Sequence, residues 1–84
     1  MPEVTVRYFA GARAAAGVTS EVIELPDDAR VSDVLEVVRL RHGDDLKRVL
    51  GACSFLLDAF TVHDLDTPVA AGAELDVLPP FAGG

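Results

Sequence analysis

Cysteine, lysine and long apolar runs are all scarce in this 84-residue chain, and each scarcity excludes something. Cys53 is the single cysteine, so no disulfide can form within the chain, and a reducing, cytosolic setting is expected. Its neighbours Gly51, Ala52, Ser54 and Phe55 favour a buried structural thiol over a reactive one. Lys47 is the one lysine, and seven basic residues against fourteen acidic ones leave a formal charge of −7. That balance points away from nucleic acid and from anionic membranes, and it suits docking onto basic partner surfaces. The longest uncharged stretch, Val49 to Leu57, is too short to span a bilayer. Glu3 and Arg7 interrupt any apolar N-terminal stretch, so no secretory signal is expected. A soluble, cytoplasmic protein is the expectation.

Chemistry-bearing constellations are equally sparse. His42 and His63 are the only histidines, and no cysteine or glutamate pair lies near them at metal-ligand spacing. No metal site is expected, and both histidines are expected at the surface. For His42 that place is a helix end, where the dipole favours it. No Ser/His/Asp or Cys/His arrangement is supported, and Gly11, Gly17 and Gly43 are too scattered for a phosphate loop. The chain is expected to hold no ATP site, no cofactor and no catalytic site of its own.

What is present is half hydrophobic, enough for one small globular domain over residues 1–84. Val4-Thr5-Val6-Arg7-Tyr8 alternates with period two, the pattern of a half-buried strand. Phe9 and Gly11 follow, and then Ala12 to Ala16 reads as a turn or two of helix stopped at Gly17. Thr19 to Leu25 reads as a second strand, antiparallel to the first, with Glu21 and Glu24 exposed. Pro26-Asp27-Asp28 ends it. Val31, Val34, Leu35, Val38 and His42 fall at helical spacing, with Ser32 as the expected N-cap, Asp33 in the first turn and Gly43 as the stop. Asp44 to Leu50 reads as a second short helix. Ser54 to Leu57 and Ala59 to Val62 read as short strands, and His63 to Pro68 as turn chemistry. Ala71-Gly72-Ala73 is a further turn, leading into a final alternating strand, Glu74 to Leu78. A strand pair, a helix across it and later strands returning to the sheet describe an α+β architecture.

The chain then runs Pro79-Pro80-Phe81-Ala82-Gly83-Gly84. The prolines have fixed φ and no N–H, so this stretch is extended and continues neither a helix nor a central strand. Gly83 and Gly84 carry no Cβ and can enter a channel too narrow for a side chain. Residues 79–84 are therefore expected to form an extended reactive tail that presents the Gly84 carboxylate to another protein.

The whole pattern resembles the ubiquitin-like β-grasp fold, and within it the small subunit of molybdopterin synthase, a MoaD-like sulfur carrier of the MoaD/ThiS superfamily. Three segments carry the resemblance: Val4 to Ala10 with Arg13 shortly after, Val31-Ser32-Asp33-Val34-Leu35, and Ala71 to Gly84. The last is the most specific. Two turns depart from the family pattern, with Asp58 where an asparagine is usual and Gly72-Ala73-Glu74 where Gly-Asp-Glu is common.

The resemblance implies a mixed sheet of about five strands on one main helix, with a flexible Gly-Gly tail. It implies that a separate adenylating enzyme (MoeB-like), using ATP and Mg²⁺, activates the Gly84 carboxylate. A sulfur donor protein then converts it to a thiocarboxylate. The large synthase subunit (MoaE-like) uses that sulfur on the pyranopterin precursor of the molybdenum cofactor. Pro79, Pro80, Phe81, Ala82 and Gly83 become the segment inserted into the partner, with Phe81 as an apolar anchor. Phe9, Arg7 and Arg13 become candidate partner-facing residues, although the residues themselves favour solvated positions for Arg7 and Arg13. A carrier for thiamine thiazole or cysteine biosynthesis stays open, as do a ubiquitin-like modifier conjugated through Gly84 and a β-grasp interaction module with an incidental tail.

Overall fold

The computed structural model describes residues 2–80 of the chain. Eight elements follow one another: β1 (Glu3–Tyr8), α1 (Ala10–Ala16), β2 (Ser20–Glu24), α2 (Val31–His42), α3 (Asp44–Leu50), β3 (Ser54–Leu57), β4 (Phe60–Thr61) and β5 (Glu74–Leu78). The strands form one five-stranded sheet in the order β2-β1-β5-β3-β4. Pairing is antiparallel except between β1 and β5, which run parallel with Tyr8 beside Val77. The C-terminal ends of β1 and β5 therefore lie side by side, in the interior of the sheet.

Period-two alternation decides what each strand buries. Val4, Val6 and Tyr8 of β1, Ile23 of β2 and Leu75 and Val77 of β5 enter the core, where they meet Val31, Val34, Leu35 and Val38 of α2 and Leu46 and Leu50 of α3. Thr5, Arg7 and Asp76 belong to the other, open face. The same alternation corrects an expectation for β2. Glu21 shares its face with the core residue Ile23, so it points inward and its side chain is only 12 % exposed, whereas Val22 is left 50 % exposed.

The helix boundaries have local causes. Gly17 ends α1 in the left-handed region at φ 78°, donating its N–H to the Arg13 carbonyl at 2.9 Å. Gly43, at φ 88°, separates α2 from α3. The start of α2 differs from expectation, because Arg30 is the N-cap and Ser32 lies inside the first turn. The first free N–H groups need no serine there. Val31 N donates to the Thr67 carbonyl at 3.0 Å and Ser32 N to Leu65 at 2.9 Å, while Asp33 Oδ2 accepts from Arg30 N at 2.8 Å. The loop at 65–67 does the capping from the far side of the sequence.

Between β3 and β4 the chain reverses over Asp58 and Ala59, both left-handed at φ 49° and 73°. Asp58 Oδ1 accepts Glu74 N at 2.9 Å, and Asp58 N donates to the Glu74 carbonyl at 2.9 Å, so this turn also fastens the start of β5. An aspartate in the asparagine position keeps both properties the turn needs, tolerance of the left-handed region and an acceptor oxygen.

Candidate functional site at the base of the C-terminal arm

β5 delivers the chain to Pro79 from the middle of the sheet. On one side Phe9 N donates to the Val77 carbonyl at 3.2 Å, and on the other Ser54 pairs with Leu78. Beyond Leu78 neither Pro79 nor Pro80 has an N–H to extend the ladder, and the strand ends. Phe81, Ala82, Gly83 and Gly84, which carry the expected insertion and carboxylate chemistry, lie outside the described residues.

The structure does bring Phe9 and Arg13 together. They line a shallow cleft of about 230 Å³ with Arg7, Tyr8, Thr19 and Ser20, beside the point where β5 ends. Phe9 caps α1 and is 38 % exposed; Ala10 after it takes a left-handed φ of 49°. Arg13 is exposed on α1 and forms no ion pair among the described residues.

Arg7 is not simply solvated. Its Nε and Nη2 donate to the two oxygens of Asp76 at 2.6 and 2.8 Å, Glu74 stands 3.9 Å away, and its guanidinium lies 5.8 Å from the centre of the Phe9 ring. The hydrogen bond and charge of Asp76 hold the guanidinium firmly protonated. Asp76 is the one buried charged residue among those described, at 7 % exposure. Alternation alone places Arg7 and Asp76 outward on their strands. Their pairing needed the β1–β5 neighbourhood, which no local signal encodes.

On the inner face one residue further along, Tyr8 Oη donates to Glu21 Oε2 at 2.5 Å, His42 Nε2 meets the same oxygen, and Arg41 Nη1 donates to Glu21 Oε1 at 2.9 Å. His42 is thus no surface histidine: its side chain is 13 % exposed and its ring meets Tyr8 edge-on at 5.9 Å. Burial raises the Glu21 carboxyl, but the hydrogen bonds from Tyr8, His42 and Arg41 outweigh it and the net displacement is downward. The Tyr8 hydroxyl is pushed far above the ordinary tyrosine range, first by burial and then by Glu21.

Cys53 is half-buried, donates Sγ–H to the Val49 carbonyl at 3.2 Å, and has its thiol pKa raised by burial. Such a thiol is a poor nucleophile at neutral pH. His63 is exposed. Among the described residues no three His, Cys, Asp or Glu side chains converge to hold a metal, and no helix is long and apolar enough to cross a membrane.

Sequence comparison matches the ThiS family over residues 6–84, a span that takes in the Gly-Gly end. The chain belongs to the ThiS family. Among solved structures, this ThiS-family chain is similar to molybdopterin converting factor subunit 1 from Pyrococcus furiosus, at 31 % identity and TM-score 0.86 over 96 % of this chain and 100 % of that one. It is similar to SAMP1 from Haloferax volcanii at 28 % identity and TM-score 0.87, over 98 % of this chain and 99 % of that one. It also matches a chain in a protein–protein complex of subunits 1 and 2 of molybdopterin-converting factor from Helicobacter pylori, at 27 % identity and TM-score 0.70, over 98 % of this chain and 99 % of that one. No curated protein sequence matches at the same stringency. The five-stranded mixed sheet with its helices on one face is the ubiquitin-like β-grasp fold of the ThiS/MoaD group.

Proposed function

We propose that the chain is a sulfur carrier, the small subunit of a molybdopterin synthase, and that Gly84 is its reactive residue. The observation that carries this reading is a family match continuing through Pro79-Pro80-Phe81-Ala82-Gly83-Gly84, on a body similar to two molybdopterin converting factor subunits.

The chemistry follows from what a carboxylate lacks. It is a poor electrophile, so an adenylating enzyme with ATP and Mg²⁺ joins the Gly84 carboxylate to the α-phosphorus and releases pyrophosphate. A sulfur nucleophile delivered by a donor protein then attacks the acyl carbon, AMP leaves, and a thiocarboxylate remains. That sulfur passes to the pyranopterin precursor in the large subunit. Pro80 to Gly84 span at most about 17 Å extended, enough to enter a buried site while the sheet stays outside. A Cβ at Gly84 would crowd the carbon under attack, and Phe81 is the apolar anchor of the inserted segment.

Intact-mass measurement after incubation with ATP, the cognate adenylating enzyme and a sulfur source tests the proposal. A single oxygen-to-sulfur exchange at the C-terminus is expected; an unchanged mass after proven adenylation overturns it. The likeness to SAMP1, a small archaeal modifier protein, favours a second reading, conjugation of Gly84 to lysines of other proteins. Isopeptide-linked Gly-Gly remnants on cellular proteins would mark it. Co-purification with thiazole synthase in place of a synthase large subunit would redirect the sulfur to thiamine.

A further inference from the structure

We propose that Arg7 is a positioning residue for the adenylating enzyme that takes up the tail: by gripping Asp76 and underlying Phe9, it fixes the surface on which that enzyme must sit. The inference rests on the sulfur-carrier reading and adds to it a residue outside the tail.

Three observations meet at Arg7. Its fork spans from β1 to β5 and bonds both oxygens of Asp76, a planar two-point contact that a lysine cannot reproduce. Its guanidinium lies over the Phe9 ring, 5.8 Å from its centre, and the Phe9 backbone is tied to β5 through Phe9 N and the Val77 carbonyl. Ala10, a non-glycine at φ 49°, turns the chain sharply just after Phe9, a backbone state that persists only where the surroundings hold it. Phe9, Arg7 and Asp76 therefore form one unit immediately before Leu78 and the prolines. A protein drawing Gly84 into its active site comes down on this unit, because so few residues separate it from the tail.

The unit matters to docking in two ways. Asp76 is 7 % exposed before any partner arrives, and covering it further is tolerable only while Arg7 neutralises it. Phe9 is an exposed aromatic whose direction is already set, so less side-chain ordering accompanies its burial. Without Arg7 the enzyme meets an unpaired carboxylate and a loose ring. The tail and its carboxylate are untouched, so the effect falls on association and not on turnover.

The experiment measures adenylation of the full chain by its cognate enzyme, as ATP–pyrophosphate exchange against carrier concentration. Arg7→Ala is expected to raise KM ~10-fold or more with kcat within about twofold of wild type. Arg7→Lys is expected between the two, since charge returns without the fork. Arg7→Ala with Phe9→Ala is expected to fall well short of the product of the single effects, because both act through one unit. A KM for Arg7→Ala within about twofold of wild type overturns the proposal, as does loss of kcat at unchanged KM, or multiplicative single effects. Should Arg7→Ala melt below the assay temperature, Arg7→Gln takes its place under the same criteria. A wild-type chain that its cognate enzyme fails to adenylate refutes the sulfur-carrier reading itself, before any Arg7 variant is compared.

Discussion

Replacing Glu21 by alanine removes the acceptor that Tyr8, His42 and Arg41 share. Tyr8 is 2 % exposed, so its hydroxyl is left in the interior with no partner, and the ring of His42 loses its contact as well. Hydrogen bonds to a charged acceptor contribute about 1.5–3 kcal/mol each, and an orphaned buried donor costs a similar amount. The bonds converge on one carboxylate and are not independent, and Arg41 is half-exposed, so a total of about 2–4 kcal/mol is expected. An 84-residue domain has about 4–13 kcal/mol of stability in all. The melting temperature should fall by roughly 10–25 °C, read by circular dichroism. The pH dependence of the wild type gives an independent check. Glu21 has a depressed folded pKa, so its contribution is complete above the ordinary glutamate value near 4.5 and is lost as pH falls below it. Tyr8 has a raised pKa, so its contribution is complete below the ordinary value of 10.0 and is lost as pH rises beyond it. Tyr8 is the only tyrosine and tryptophan is absent, so the absorbance of tyrosinate follows this one side chain. Ionisation with a midpoint at the ordinary tyrosine value while the chain stays folded, or a Glu21→Ala variant melting within about 2 °C of wild type, would refute the reasoning.

Ala59→Gly relieves a left-handed φ of 73° and should raise stability by about 0.5–1 kcal/mol, seen as a higher denaturant midpoint at unchanged slope. Leu46→Ala empties a fully buried position under α3 and should cost about 2–5 kcal/mol by the same measurement. Gly84→Ala should leave the melting temperature of the body unchanged and abolish thiocarboxylate formation; normal loading by intact mass would sink the narrow-channel argument.

Local patterns carried most of the elements. Alternation marked β1 and β5, spacing of Val31, Val34, Leu35 and Val38 marked α2, and Gly17 and Gly43 marked two helix ends. The misreadings share a cause, since each depends on a partner distant in sequence. Ser32 looked like a cap because nothing near it reveals that the carbonyls of Leu65 and Thr67 receive the first helical N–H groups. Glu21 reads as exposed from its charge, and Tyr8, Arg41 and His42, 13, 20 and 21 residues away, make an inward carboxylate tolerable. For the candidate site, the resemblance pointed to Phe9, Arg7 and Arg13, and the structure places them in one cleft. The Arg7–Asp76 pair, 69 residues apart in sequence, became visible only with the parallel pairing of β1 and β5.

The two charge clusters occupy opposite faces of the same end of β1. Arg7 reaches across the open face to Asp76 of β5, and Tyr8, the next residue, reaches through the core face to Glu21 of β2 and His42 of α2. Consecutive strand residues point to opposite faces, so both ties act on a single peptide unit, alongside Val77. Hydrogen bonds of this kind contribute modestly to stability but define one arrangement over its neighbours, since an alternative packing leaves charges unpaired. Under the proposed function, a carrier that enters two active sites would benefit from that definition. Ordering entropy opposes each association, and a base already fixed adds little to that cost. On this reasoning the clusters flank the exit of the arm because a loose base would weaken every encounter. Loosening the inner tie should then raise KM for adenylation as well, through β1 and not through direct contact. His42→Ala tests this at a temperature where the variant stays folded: a raised KM with unchanged kcat is expected, and an unchanged KM would confine the inner cluster to stability alone.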